Sequence, residues 1–478
     1  MQVNLLERLR AFLAARETPA YLVGGSVRDV LLGRVTHDLD VSVQGDASEL
    51  ARAFADENGA AFFVMDQAFD VARVIFDQGE TREVVDFARL RGTSLEMDLA
   101  TRDFTINAMA ADARTWLGAD QDAVIDPFHG LADLATHRLR VVSADAFVND
   151  PVRLLRAIRF EAELEFALDD AAENLVQRDA LLINRAPSER VREEFMRILS
   201  AQNVLRQLER LDSLGLLTQV VPELNTLRGV TQSPPHIYDV FEHSLHAVAV
   251  AEETEQADYM DIAQGAFGEQ LREHFQQRYS YSRRELLRLA LLLHDIGKPQ
   301  TRSVDEHGRI HFYRHEDVGS ELAEGILRRL RFSNNEIAFV KTSIANHLRP
   351  ILLAQSGVSD RAVYRFFRDT GEVGVDVAVH AWCDQRATYG DAMPTEIESA
   401  LQATIGRLLD RYYHAREKAI YPPPLLTGND VMEQLKLEPG PHIGALLDAL
   451  REAQAVGQVT TREEALEFLR IFLSSEKL

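Results

Sequence analysis

The tightest constraint lies near the start of the chain. The run Tyr21-Leu22-Val23 passes into Gly24-Gly25-Ser26-Val27-Arg28-Asp29, and Asp38-Leu39-Asp40 follows after eight residues. A short strand that ends on paired glycines and turns straight into a helix belongs to a mixed α/β layer. Glycines at such a turn let backbone N–H groups approach phosphate oxygens, and the helix start adds a favourable dipole. Gly24, Gly25, Ser26 and Arg28 are therefore candidate nucleotide contacts. Asp38 and Asp40 stand at i and i+2 of a strand, so both carboxylates leave from one face. Such a pair suits two Mg²⁺ ions about 3.5–4 Å apart, one for a hydroxyl nucleophile and one for a triphosphate. A Gly-Gly turn or an Asp-x-Asp by itself is ordinarily a bare turn or a solvated strand edge. The order and spacing of the two make a site.

The 478 residues allow roughly three domains at about 150 residues each, and 46% hydrophobic with 27% charged residues is ordinary globular composition. Leu5 to Ala15 has helical spacing, Val27 to Leu32 reads as a helix closed by Gly33, and Leu39 to Val43, Val71 to Phe76 and Glu83 to Ala88 read as strands. From about residue 143 the strands are expected to stop. Val152 to Phe160 and Val191 to Leu199 carry helical spacing, Gly229 to Tyr238 reads as a linker, and 239–415 is helical again. Tyr421-Pro422-Pro423-Pro424 precedes a small final unit. The net charge of −23 argues against nucleic-acid binding through the overall field, although 47 Arg against 5 Lys leaves room for a local basic groove. The single cysteine, Cys383, allows no internal disulfide. No signal peptide or apolar run of about 18 residues is visible, so a cytoplasmic protein with no membrane partner is expected.

Further motifs follow in order. They are Arg102-Asp103-Phe104-Thr105-Ile106-Asn107-Ala108, then Asp126-Pro127 with Gly130 and Asp133-Leu134 running to Leu139-Arg140. Asp150-Pro151-Val152-Arg153 with Arg156 and Arg159-Phe160 comes next, then Glu189-Arg190 with Glu193. With the glycine turn and the paired aspartates, these resemble the five motifs of class II tRNA nucleotidyltransferases, which build the 3′-terminal CCA of tRNA; bacterial poly(A) polymerases share most of them. The resemblance implies that Arg102 binds triphosphate, Asp103 the ribose hydroxyl, and Asn107 supports that pocket. Asp150 and Arg153 would read the incoming base by hydrogen bonds, with Arg156 and Arg159 nearby. Asp150, Arg153 and Arg156 are expected at i, i+3 and i+6 of one helix, where the first two could also form a plain ion pair. Asn149 stands where the family usually has Glu. Asp86 is a candidate third acidic group beside the metals, or an ordinary strand residue.

Between His243 and His347 lie 8 of the 15 histidines. An adjacent His294-Asp295 after the apolar Leu289–Leu293, with Leu293-His294-Asp295-Ile296-Gly297-Lys298 as context, resembles the HD phosphohydrolase superfamily. His243, His294, Asp295 and Asp384 would hold one divalent metal, and His315 with His347 a possible second. The resemblances together imply an α+β chain: a polymerase-β-like nucleotidyltransferase head over 1–142, an all-α neck and body over 143–228, an HD domain over 229–415 and a tRNA-binding tail over 416–478.

The expected partners are a tRNA 3′ end, CTP and ATP. Three competing readings are a poly(A) polymerase, an HD-domain phosphodiesterase or phosphatase whose head only binds nucleotide, and a non-catalytic tRNA-binding protein. Mere binding does not require a carboxylate pair such as Asp38 and Asp40, which disfavours the last two. In relatives that add the terminal A, a flexible loop of a dozen or more residues usually precedes the Arg102 motif. Here only residues 87–101 separate Asp86 from Arg102, and Leu95 to Ala100 reads as helix. The five residues Leu90 to Ser94 leave little free length. The chain is expected to add CC, with a separate A-adding enzyme finishing the end.

Overall fold

The computed structural model describes residues 5–77, 82–116, 118 and 120–475, in two compact units. One comprises residues up to 194 together with 210–220, and the other 195–209 together with 221 onward.

The first unit is built on a seven-stranded sheet of order β3-β4-β5-β2-β1-β6-β7. The strands are β1 (Ala20–Val23), β2 (Asp38–Val43), β3 (Ala61–Asp66), β4 (Val71–Asp77), β5 (Arg82–Arg89), β6 (Ala110–Asp112) and β7 (Val124–Ile125). Among the described residues of this sheet only β2 and β5 run parallel; its other pairings are antiparallel. Along β2, Leu39, Val41 and Val43 are buried while Asp38 and Asp40 face outward, which is the pleat expected of a half-buried strand. Helices Leu5–Ala14 and Ala47–Asn58 cover the apolar face. Phe54 meets Phe12, Phe76 and Phe87 edge-on at centroid distances of 4.9, 5.6 and 5.7 Å, which pins helices to strands at the core.

Two expectations are corrected here, and one strand has no counterpart among them. Strands do not stop at 143: Ala167–Leu168 pairs with Arg138–Leu139, and Arg302–Val304 forms a hairpin with Ile310–Phe312. Segments of two or three residues carry no readable alternation. Strand β3 was invisible for another reason. It is the sheet edge and is exposed along nearly its whole length, so no buried face imposes a pattern. Asp150 is not on the helix that carries Arg153 and Arg156. That helix spans Arg153–Leu164, and Asp150 is extended (φ −148°, ψ 97°) because Pro151 excludes the helical region for the residue before it.

The second unit is helical apart from that hairpin. Helix Arg283–Leu293 is buried without a break from Leu286 to Leu293, so it is a central helix rather than an amphipathic one. Ser282 and Glu285 form its capping box, and its end delivers His294 and Asp295. Helices Val240–Gln256, Asn334–Asn346 and Gly374–Tyr389 pack around it. The final helices, Gly428–Leu435, Pro441–Ala455 and Arg462–Ser475, close over a separate core of Leu426, Val431, Leu446, Leu450 and Leu469. Among the described residues, no helix is long and apolar enough to cross a membrane.

Two candidate active sites

In the first unit a cleft of about 520 Å³ is lined by Gly24, Gly25, Arg28, Asp38, Asp40, Arg102, Asp103, Asn107, Asp150, Arg153, Arg156 and Arg159. Strand register makes its acidic floor. Asp40 lies opposite Asp86 on the parallel neighbour β5, and Asp86 lies opposite Arg73 on β4. Arg73 grips Asp86 through two bonds of 2.7 Å. Asp40 is open toward the cleft on one side. The protein packed around its other sides disfavours the charge and raises its pKa, against the pull of Arg102; Asp86 and Asp38 push the same way. A set of crowded carboxylate oxygens is the donor chemistry of Mg²⁺, so Asp38 and Asp40 fit the two-ion role.

Gly24 has a functional need to be glycine. Its φ is +67°, and a Cβ there would clash with the guanidinium of Arg102. The glycine turn therefore seats Arg102 as well as exposing backbone. Ser26, expected to contact nucleotide, is instead buried and accepts the N–H of Asp40 at 2.7 Å, fixing the helix start against β2. Arg28 is held by Asp29 at 2.9 Å and by Asn107 at 2.7 Å.

Around the cleft the arginines are pre-positioned by carboxylates. Burial alone would raise the Asp103 carboxyl, but Arg156 at 2.7 Å, the amide of Asn107 and the N–H of Phe104 hold it well below the usual range. Arg159 pairs with Glu194 at 2.7 Å. Glu194 is the buried partner, whereas Glu193, the residue of the recognised motif, is exposed. Asp150 is gripped by Arg190 through bonds of 3.1 and 2.8 Å, while Arg153 is 3.9 Å away and donates to the carbonyls of Thr101 and Ala146. The pair is thus not a tight intrahelical ion pair. Asp98, which sequence reading passed over, is buried. It accepts the N–H of Arg91 at 2.9 Å and the hydroxyl of Ser42 at 3.2 Å, and lies 3.5 Å from Arg102.

The second unit holds a buried cluster. His294 and Asp295 are fully buried, and His243, His315, His347 and Asp384 are at most 6% exposed. His243 Nε2 lies 3.0 Å from Asp384 and 3.6 Å from Asp295; His294 Nε2 lies 3.2 Å from Asp295 and 3.6 Å from Asp384. His315 Nε2 lies 3.3 Å from Asp295 and 3.4 Å from His347 Nε2. The Nδ1 atoms of His294, His315 and His347 contact the carbonyls of Leu291, Phe312 and Ile344. A carbonyl only accepts, so Nδ1 carries the proton and Nε2 is left free to ligate.

All six expected ligands therefore converge. Three overlapping groups of them, each able to hold a metal ion, arise: His243–His294–Asp295, His294–His347–Asp384 and Asp295–His315–His347. No hydrogen bond satisfies His294 Nε2 or either Asp295 oxygen, although Lys298 lies 2.6 Å from Asp295. Buried, unsatisfied nitrogen and oxygen donors fit a divalent cation of the Mn, Fe or Ni kind. Burial by itself would lower His294, but without a cation Asp295 and Asp384 hold it up at about 10, so a metal bound at Nε2 would have to displace a proton. Burial pushes His347 down to about 3, with His294 and His315 adding to the effect. His380 also packs against the His294 and His347 rings. Its i, i+4 spacing to Asp384 on helix Gly374–Tyr389 was the signal that could have found it.

Comparison with known proteins follows this geometry. The family model for the poly A polymerase head domain matches residues 20–140. A model described as a probable RNA and SrmB-binding site of polymerase A matches 165–227, and the HD domain model matches 240–396. The chain is 34% identical to an A-adding tRNA nucleotidyltransferase of Deinococcus radiodurans, over 94% of this chain and 95% of the relative. It is 30% identical to a CC-adding tRNA nucleotidyltransferase of Synechocystis, over 97% and 96%. A solved CCA-adding enzyme with CTP shares the fold at a TM-score of 0.63 and 22% identity, covering 100% of this chain and 96% of that one.

Proposed function

The chain belongs to the HD-domain-bearing class II tRNA nucleotidyltransferases, and from that premise we propose that it extends a tRNA 3′ end by two cytidines from CTP and leaves the terminal A to a partner enzyme. The observation that carries the CC reading is the connection before the Arg102 motif. Leu90 bonds to Val43, Arg91 to Asp98, and Thr93 to the Met97 sulfur; Ser94 caps helix Leu95–Ala100. Gly92 sits at φ +83°, and a Cβ there would lie 3.0 Å from Met97 Cβ. Four of the five make a hydrogen bond, which supports a fixed strut rather than a lever able to reshape the base pocket from C to A.

In this reading Asp150 accepts from the exocyclic amine of cytosine, and Arg190 keeps its carboxylate charged. Arg153 donates to the ring nitrogen and carbonyl, Arg102 binds the triphosphate, and Asp103 accepts the ribose hydroxyl. Asp38 and Asp40 would hold Mg²⁺, which when bound neutralises the triphosphate and lowers the pKa of the attacking tRNA hydroxyl. The tRNA 3′-oxygen attacks the α-phosphorus in line and pyrophosphate leaves. The parts are a head over 1–142, a neck and body over 143–228, an HD domain over 229–415 and a tail over 416–478, in a cytoplasmic protein.

Purified protein given tRNA without CCA, with CTP and ATP, stalls after two additions; rapid conversion to full CCA would overturn the CC assignment and leave the family intact. The unsatisfied donors around His294 and Asp295 favour a second reading alongside the first: hydrolysis of a phosphate ester at the HD centre, where a bound divalent cation would supply a nucleophile from water.

A further inference from the structure

Strand β3 carries an apolar surface that lies open. Phe63, Val64, Met65 and Phe69 are 51%, 49%, 55% and 65% exposed. Single apolar side chains on a surface are ordinary, but three in a row are unfavourable in water unless a partner covers them. Among the described residues no ring or cation stacks on Phe63, whereas Arg52 lies 4.3 Å over the ring of its neighbour Phe62.

Register ties this ring to the paired aspartates. Asp40 stands opposite Asp86 across β2 and β5, Asp86 opposite Arg73 across β5 and β4, and Arg73 opposite Phe63 across β4 and β3. Opposed residues share a face, so the four form one row from the acidic floor to the edge of the sheet. The parallel row beside it, Val84, Ile75 and Ala61, is apolar. Helices Leu5–Ala14 and Ala47–Asn58 cover the opposite face.

The direction of attack selects an occupant. In phosphoryl transfer the attacking and leaving oxygens stand roughly in line. The cleft has its phosphate-binding candidates, Gly24 and Arg28, on the β1 side of Asp40, and its lining does not include Asp86, Arg73 or Phe63. The attacking hydroxyl therefore enters over β5 and β4. Two strand spacings, about 10 Å, separate Asp86 from Phe63, which leaves room for one nucleotide with its ribose over Asp86 and its base against the ring. Arg73 gives Nε and Nη2 to Asp86, and among the described residues its Nη1 makes no hydrogen bond, so a donor remains for a backbone phosphate.

We propose that Phe63 is a stacking platform for the last base of the tRNA acceptor, the nucleotide whose own 3′-hydroxyl reacts, and that Arg73 contacts the phosphate preceding it. The proposal rests on the reading of the first centre as one that extends tRNA, and adds where the acceptor lies. Stacking tolerates any base, because every base has a π-face. That suits an end whose last base changes to cytosine as addition proceeds. It also supplies affinity that does not depend on charge, in a chain of net charge −23.

The test is a two-by-two cycle on the full chain. Parent and Phe63→Ala each bind tRNA without CCA, either intact or abasic at its last nucleotide, and affinity is read by filter retention. The parent should lose about fivefold or more with the abasic tRNA, and Phe63→Ala as much with the intact one. Both changes together should cost no more than either alone. Phe63→Tyr should bind like the parent, and Phe63→Ala should raise the tRNA KM while holding the CTP KM within about twofold. Undiminished binding by Phe63→Ala, or an equal loss on intact and abasic tRNA, overturns the platform. So does a parent that sediments as a dimer and turns monomeric with Phe63→Ala, since the edge then serves a second copy. If the binding cycle holds but the parent extends tRNA with neither CTP nor ATP, the platform stands and the reading of the first centre falls. If the cycle fails while cytidine addition persists, the platform alone falls.

Discussion

The two candidate centres solve opposite problems. In the first unit the acidic group is all oxygen, lies on an open strand face, and is ringed by arginines already paired with carboxylates. In the second, nitrogen and oxygen donors are mixed and buried, with one side facing a cleft. An open oxygen set suits a weakly held cation that arrives with a charged substrate, because Mg²⁺ keeps much of its water. A buried imidazole–carboxylate set suits a resident ion, since burial without one leaves donors unsatisfied.

The largest expected effect tests the open centre. Asp38→Ala or Asp40→Ala should cut cytidine addition by about 10³-fold or more, as lost charge stabilisation does, while the metal content of the purified protein stays at the parental level. Loss of metal together with activity would erase the distinction between labile and resident ions. The converse double change, His294→Ala with Asp295→Ala, should empty the second centre in elemental analysis and keep cytidine addition within about threefold of the parent, the sites being independent. If addition collapses in a variant with a normal melting transition, the centres are coupled.

Gly24→Ala should raise the CTP KM by about tenfold or more, since the added Cβ displaces Arg102 and the φ of +67° is strained for alanine; an unchanged KM removes Arg102 from the triphosphate. Stability should carry the mark of Asp103. Its carboxyl is depressed in the folded state, so its contribution is complete above the ordinary carboxylate range and is lost as pH falls toward the folded value. The gap in unfolding free energy between parent and Asp103→Asn should be flat from about pH 8 to 5 and shrink below about pH 4. A gap that instead narrows on going from pH 5 to 8 contradicts the Arg156 pairing. Gly92→Ala is the mildest change, about 1–2 kcal/mol by denaturant unfolding from a left-handed residue packed on Met97. A loop as mobile as a lever would show none of that cost.

The head centre was legible because its chemistry is local. Gly24-Gly25 and Asp38-Leu39-Asp40 meet within seventeen residues, and a strand's pleat puts both carboxylates on one face whatever surrounds it. What remained hidden were relations across elements. Asp98 reads as one more helix acid until the fold sets it between Arg91, Ser42 and Arg102. Glu194 outranks its exposed neighbour Glu193 only because the helix turns it toward Arg159. Asp150 was misplaced even though Pro151 was there to read, because helical spacing was followed through a residue that forbids it.

The sequence by itself determined the family, the mixed head followed by helices, and the six His and Asp residues that meet in the second centre. Residue type, order and short-range periodicity are properties of the chain alone. Tertiary structure decided which arginine each carboxylate holds, that Asp40 faces Asp86 across the parallel pairing, that hydrogen bonds hold four of the five connecting residues, and that the His–Asp cluster lines a cleft with Lys298 and Arg309. These depend on strand register and helix packing between residues tens to more than a hundred positions apart, and no local pattern encodes such a distance.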